Sequence, residues 1–406
     1  MKFECLTKNL RPAASLSSTT DEMTSSEKDN QEPEKKIFNV LHVVSRLPLG
    51  GVENMLMKVV RGYDRDRFNP IICCMKEGGE VADSLKQSGF RVEILDKMQG
   101  HGFDWRTVIA LYKFIKNENI HILRTHQYHA NLYGRIAGLL AGVPVIIPSF
   151  HSRYVSPAEP KMHRRLLNSM LGHFSDALVA VSPAVYSDII KYDKVDSSKI
   201  KVIYNGVKIS DFSPDVPKAE NRKKLNLPED VFIIGSVGRL KEEKGHKFLI
   251  EAASRLENVC VALAGDGPLM DELKALADKF RVKCIFMGMM PPEKIPVFLK
   301  SLDVFCFPSL WEGFPTALIE AMAAGLPVVA TDIPSNREIA DDAGILVAAS
   351  RKEDLAGPLK MLFEDRLLRD EMGRRAKEKI QKFSIENTVK TYQDLFNEIL
   401  RKKGML

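Results

Sequence analysis

The sequence predicts an α/β protein of two doubly wound domains facing a shared cleft. Three observations lead there. The chain has 406 residues, more than one hydrophobic core usually serves, so two domains are expected. Short apolar runs rich in β-branched residues alternate with segments of helical period, first over residues 37–203 and again over 231–401. That alternation is the pattern of parallel sheets covered by helices on both faces. Between the two series lies Tyr204–Pro214, YNGVKISDFSP, which is polar and turn-rich and suits a linker. The expected boundaries are a disordered tail over 1–36, a first domain over 37–208, a second over 209–383, and a closing segment over 384–406.

The tail is rich in Ser, Thr, Glu and Lys, with little to bury. The first series opens on Ile37–Ser45, IFNVLHVVS, a run suited to a buried parallel strand. The glycines Gly50 and Gly51 follow it, and Val52–Tyr63 reads as a helix. This start lacks the full GxGxxG pattern, so a nicotinamide dinucleotide fold is not indicated. A plain tight turn fits the two glycines as well. Further strands are expected at Asn69–Met75, Arg91–Leu95, Ile120–Thr125, Pro144–Ser149, Ala177–Val181 and Ile200–Ile203. The helices between them are expected at Glu80–Ser88, Trp105–Glu118, Ala130–Ala141 and Lys161–Phe174. In such sheets ligands bind at the carboxyl ends of strands, where His126 and His151 fall.

The second series runs through strands at Val231–Val237, Val259–Ala264, Cys284–Met287, Val304–Phe307, Val328–Thr331 and Gly344–Val347. Its helices are expected at His246–Leu256, Leu269–Lys279, Glu293–Ser301, Thr316–Ala324, Lys352–Phe363 and Arg366–Lys382. Glu386–Arg401 closes the chain as an amphipathic helix.

Composition narrows the classes. Hydrophobic residues make up 45% and charged residues 28%, as in soluble globular proteins. The net charge of +6 permits an anionic partner without selecting nucleotide, membrane surface or nucleic acid. No RNP, zinc-finger or homeodomain signature is present, so nucleic acid is not an expected partner. Six cysteines occur without a CxxC, most of them in apolar runs. They read as buried free thiols of a reducing compartment. No secretory leader pattern is visible. The nearest approach to a membrane span, Ala137–Phe150, is broken by Pro144 and Pro148. A cytoplasmic protein is expected, one that can lie at the inner face of the cell membrane. The helix Lys161–Phe174 interleaves basic and apolar residues, which suits either a lipid surface or a solvated helix with one core face.

The chemistry-bearing residues cluster after strands. Pro308–Gly325, PSLWEGFPTALIEAMAAG, reads as loop then helix, with Gly325 placed to end it. A loop containing Gly313 that leads into a helix N-terminus favours an anion. Glu312 and Glu320 can accept hydrogen bonds from sugar hydroxyls, although two solvated acids fit the same spacing. Arg239 and Lys244 follow a strand beside Gly238 and Gly245, where two cations can neutralise a diphosphate. A solvated loop is the other reading. Metal ligation has little support. No HExxH or Cys/His cluster occurs, and Asp64 and Asp66 read as a solvated turn. No cofactor is expected.

Taken in order, these segments resemble the family 4 (group 1) retaining glycosyltransferases of GT-B fold. The resemblance rests on LGGVE at 49–53, THQYHANLYGR at 125–135, SFHS at 149–152 and YNGV at 204–207. It continues with GRLKEEKG at 238–245, AGDGP at 264–268 and the segment from Pro308 to Thr331. It implies two Rossmann-like domains with the last helix crossing back to the first. It implies that Arg239 and Lys244 bind the donor diphosphate, that Glu312 faces the donor sugar, and that Glu320 holds the ribose hydroxyls. Backbone amides of Gly313, Phe314, Pro315 and Thr316 would contact sugar and phosphate. Gly50 and Gly51 would approach the phosphates from the first domain, with His126 near the reacting carbon and His151 a looser match. Arg124 stands where many relatives have histidine, and His129 where they often have lysine.

The activity implied is metal-independent transfer of a hexosyl or N-acetylhexosaminyl group. The donor expected is a nucleotide sugar, UDP-linked, and the acceptor a glycan or lipid-linked sugar of cell-surface polysaccharide synthesis. Peripheral contact with an anionic membrane is a further expectation. A nucleotide-sugar 2-epimerase, a sugar phosphorylase and a non-catalytic binding protein of the same architecture are the alternatives.

Overall fold

The computed structural model describes residues 36–98, 103–154, 160–213 and 216–406. Nearly all of the tail expected over 1–36 lies outside these, as do Cys5 and Pro214. The first sheet is built from β1 (Phe38–Arg46), β2 (Phe68–Glu77), β3 (Arg91–Ile94), β4 (Ile122–His126), β5 (Val145–Phe150), β6 (Leu178–Ala180) and β7 (Ile200–Val202). All pairs are parallel, in the order β3-β2-β1-β4-β5-β6-β7. The second sheet contains β8 (Phe232–Val237), β9 (Val259–Ala264), β10 (Lys283–Gly288), β11 (Val304–Phe307), β12 (Val328–Asp332) and β13 (Ile345–Ala348). Its order is β10-β9-β8-β11-β12-β13, again parallel. The order in which strands are added reverses once in each sheet, between β1 and β4 in the first and between β8 and β11 in the second. These are the topological switch points, where the diverging connections leave a crevice.

The strands form where they do because both faces are covered. In β4, β5, β9 and β11 every residue is buried, which explains the continuous apolar runs of β9 and β11; β4 instead buries Arg124, Thr125 and His126. Three helices escape the sequence pattern: Pro183–Asp188, Lys218–Lys224 and Pro334–Ala340. Each is six or seven residues long, too short for a clear 3.6-residue period. The first carried a start signal all the same, with Ser182 capping the Val185 N–H and Pro183 in the first turn.

Residues from Ile37 to Leu406 form one compact unit. The chain passes between the sheets twice, and the two passes touch. The Val207 N–H donates to the Phe383 carbonyl, and the Ile385 N–H to the Val207 carbonyl, each at 2.9 Å. A Cβ on Gly206 would lie 2.5 Å from the Ser384 carbonyl oxygen, so only glycine lets the strands approach. Beyond this crossing, the helix Ile385–Lys402 returns to the first sheet. Its buried stripe, including Val389, Tyr392, Phe396 and Ile399, shares a core with Phe38, Val40, Phe68 and Ile122. Phe396 is fully buried, with ring centroids 5.4 Å from Phe68 and 5.8 Å from Tyr63. Phe396→Ala is expected to destabilise the protein by about 3–5 kcal/mol in chemical denaturation, the cost of a large core truncation. A loss below about 1 kcal/mol would mean that the returning helix is not part of the core.

Candidate functional site

The carboxyl ends of both switch points open into one cleft of ≈ 1670 Å³. The first sheet contributes Gly50, Gly51, Glu53, Lys58, Gln127 and His151. From the second sheet come Arg239, Lys244, Glu312, Gly313, Thr316 and Glu320.

β11 ends at Phe307, and the helix Thr316–Ala323 follows the loop, with Gly325 at φ 79° just past its end. The N-cap position is Pro315, and no side chain caps the helix. Its free N–H groups therefore remain available to a ligand. Pro315 itself has no N–H, which corrects the expectation of a backbone donor there; the donors are Gly313, Phe314 and Thr316. Phe314 is buried and stacks on Tyr204 at 5.3 Å, fixing the loop against the crossover. Gly313 packs its backbone closely against the first half. A Cβ there would lie 2.1 Å from the His151 carbonyl oxygen, and Ser182 Oγ donates to the Gly313 carbonyl at 2.7 Å.

Lys244 and Glu312 form an ion pair, Nζ to Oε1 at 2.5 Å, with the two side chains 21% and 12% exposed. The turn Glu242–Lys244 is held to the loop by the Leu310 N–H donating to the Glu243 carbonyl at 2.8 Å. Arg239 is exposed on the same wall. Glu320 pairs across the cleft with Lys58, at 3.8 Å. Burial raises the Glu320 pKa, and the Lys58 charge offsets only part of that rise.

On the opposite wall the helix Gly51–Arg61 follows Gly50, again without a side-chain cap. A Cβ on Gly51 would lie 3.6 Å from Thr316 Oγ1. The N-termini of two helices, one from each half, thus face each other in the cleft. Glu53 accepts a hydrogen bond from Gln127 Nε2 at 3.2 Å, and burial raises its pKa.

His126 ends β4 and is 3% exposed. His42 and His151 occupy its two ring nitrogens, each at 3.2 Å. It sits one layer below the wall that His151 forms. Sequence reasoning missed His42, Tyr63, Glu53 and Lys58. For His42 the signal was present, as an imidazole in the middle of the apolar run that forms β1. Lys58 and Glu53 look like ordinary charges of an amphipathic helix until the opposite wall is in place.

Two parallel sheets whose switch points face a common cleft define the GT-B class of fold. Residues 49–211 match the family model described as Glycosyltransferase Family 4, and residues 217–379 match that of Glycosyl transferases group 1. The chain belongs to this family and is a glycosyltransferase. It is 29% identical over 384 residues to the Escherichia coli UDP-Gal:alpha-D-GlcNAc-diphosphoundecaprenol alpha-1,3-galactosyltransferase, covering 90% of this chain and 98% of that one. A Campylobacter jejuni N-acetylgalactosamine-N,N'-diacetylbacillosaminyl-diphospho-undecaprenol 4-alpha-N-acetylgalactosaminyltransferase is 30% identical over 58% of this chain and 63% of its own. The crystal structure of Anabaena HepE in complex with UDP and glucose shares the fold, with a TM-score of 0.79 at 21% identity over 89% of this chain and all of that one. These matches do not favour the epimerase, phosphorylase and binding-protein alternatives.

Proposed function

We propose that this glycosyltransferase transfers a sugar, with retention and without a metal, from a UDP-sugar to a sugar carried on a polyprenyl diphosphate. The observation that carries the reading is the convergence of two uncapped helix N-termini with Arg239 and Lys244. Together they supply positive potential where a diphosphate leaving group gains charge. Arg239 and Lys244 bind the diphosphate, Glu312 meets the donor sugar, and Glu320 accepts from the ribose hydroxyls. Gly50 and Gly51 let the first domain approach the phosphates. The acceptor hydroxyl forms its bond to the anomeric carbon on the face from which the diphosphate leaves. Its proton passes to a leaving-phosphate oxygen, and the protein supplies positioning and electrostatics. The two relatives named above, both of which act on lipid diphosphates, support the acceptor class.

The test is a transfer assay with labelled UDP-galactose, UDP-glucose and UDP-N-acetylhexosamines and a polyprenyl-diphosphate-linked GlcNAc acceptor. Label should move into the lipid extract in an α-linkage and should survive a chelator. A β-linked product, or activity abolished by chelator and restored by a divalent cation, would contradict the mechanism.

The same reading places the enzyme on an anionic membrane. Met162, Leu166, Met170 and Phe174 are each more than half exposed and recur every four residues, a stripe suited to lipid. No helix among the described residues is long and apolar enough to cross a membrane. Sedimentation with phosphatidylglycerol vesicles should be lost in the double variant Leu166→Glu, Met170→Glu. Unchanged sedimentation would rule out this face.

A further inference from the structure

Behind the cleft wall lies a chain of side chains that reaches the cleft at His151. Arg124 is 1% exposed, in the middle of β4. It donates to Tyr63 Oη at 3.2 Å and to Ser149 Oγ at 3.0 Å, and its guanidinium carbon lies 3.6 Å from the centre of the Tyr392 ring. No carboxylate pairs with it among the described residues. From Tyr63 the contacts run outward. Tyr63 Oη is 3.3 Å from His42 Nε2, His42 Nδ1 is 3.2 Å from His126 Nε2, and His126 Nδ1 is 3.2 Å from His151 Nε2. The chain ends at Nδ1 of His151, a residue that lines the cleft; this nitrogen is shielded from solvent and has no hydrogen-bond partner.

Donor and acceptor roles along this chain follow from its inner end. A guanidinium only donates and does not lose its proton. Its N–H takes a lone pair of the Tyr63 oxygen, so the Tyr63 hydroxyl hydrogen points to His42 Nε2. Burial and the Arg124 charge hold the pKa of all three histidines below its usual value, that of His151 at about 3. Each ring is therefore neutral and carries one proton. His42 accepts at Nε2, so it donates from Nδ1 to His126 Nε2. His126 likewise donates from Nδ1 to His151 Nε2. The proton of His151 is left on Nδ1, a buried N–H with no acceptor. The reverse direction would give the Tyr63 oxygen two donors and leave its own hydrogen without a place in the chain.

We infer that Arg124 is a positioning residue that fixes the tautomers of His42, His126 and His151, so that His151 presents an N–H donor to an oxygen of the bound sugar nucleotide. A buried donor without a partner is costly, and a sugar or phosphate oxygen supplies the missing acceptor. Neutral rings also keep a histidine cation away from the anomeric carbon, which becomes positive as the bond to phosphate breaks. The part of the inference that concerns the ligand rests on the donor site proposed above. The tautomers themselves are properties of the free protein.

The test is 15N NMR of ring-labelled histidines in the intact protein. In the wild type all three rings should be neutral with the proton on Nδ1. In Arg124→Met at least one of them should change to the Nε2–H form or to a mixture, with kcat reduced about tenfold and the donor KM less affected. Arg124→Lys, which keeps a donor-only cation, should restore part of both. Should Arg124→Met not fold, Tyr63→Phe removes the hydroxyl link and is expected to release the same tautomers. Nε2–H rings in the wild type would overturn the inference. So would unchanged tautomers in a folded Arg124→Met, or in a folded Tyr63→Phe where Arg124→Met does not fold. Adding a UDP-sugar should shift the His151 Nδ1 signal. No shift with the donor demonstrably bound would overturn the ligand contact alone. No donor binding at all would instead count against the donor site.

Discussion

Lys244→Ala is expected to lower kcat by about 100- to 1,000-fold, the usual cost of removing one preorganised group that stabilises transition-state charge. Lys244 closes the turn Glu242–Lys244 just beyond β8, and its Nζ is 2.5 Å from Glu312. In the free protein this pair holds both side chains on one wall of the cleft. A donor diphosphate offers Lys244 a stronger anion, and its attraction grows as the leaving phosphate gains charge. The effect should therefore fall on kcat more than on the donor KM. Lys244→Met keeps the alkyl chain beside the Phe307 ring, 5.5 Å from Nζ, and removes only the charge. It should be nearly as slow as the alanine variant. Steady-state rates within about threefold of wild type in both variants would remove Lys244 from the site.

Glu320→Gln separates binding from folding. A charged acceptor for ribose hydroxyls is worth roughly 1.5–3 kcal/mol, so the donor KM should rise about 10- to 100-fold while kcat changes little. Stability should move the other way or not at all. Burial raises the Glu320 pKa, and Lys58 at 3.8 Å offsets only part of it. Between the unfolded and the raised folded value the native state holds more protons than the unfolded chain. Glu320 therefore favours folding as the pH falls through that window, and its buried charge costs stability above it. At pH 7 the amide avoids that cost, so the melting temperature should be unchanged or higher. In the wild type the donor KM should rise as the pH is lowered through the raised value, because a protonated carboxyl loses acceptor capacity. A Glu320→Gln enzyme with wild-type donor KM would show that the ribose lies elsewhere.

Much of this architecture could be read from the chain, because fully buried parallel strands write themselves as unbroken apolar runs. β9 and β11 coincide with runs recognisable by eye, and the loop–helix Pro308–Gly325 folds as its turn residues imply. Only the resemblance distinguished Arg239, Lys244, Glu312 and Glu320 from solvated charges. What could not be read depends on contacts between distant segments. Lys58 meets Glu320 only because two halves close on each other. The histidine chain joins β1, β4 and the segment after β5, and no spacing in the sequence connects residues 42, 126 and 151. The placement of His126 below the wall, with His151 in it, follows from the same three-strand contact.

The most direct test of the donor site is a crystal structure with UDP bound. The diphosphate is expected within hydrogen-bonding distance of Arg239, Lys244 and the Thr316 N–H, with both ribose hydroxyls on Glu320 and the Lys244–Glu312 pair opened or shared. UDP bound elsewhere, or bound in the cleft with its ribose away from Glu320 and its phosphates away from Lys244, would contradict it.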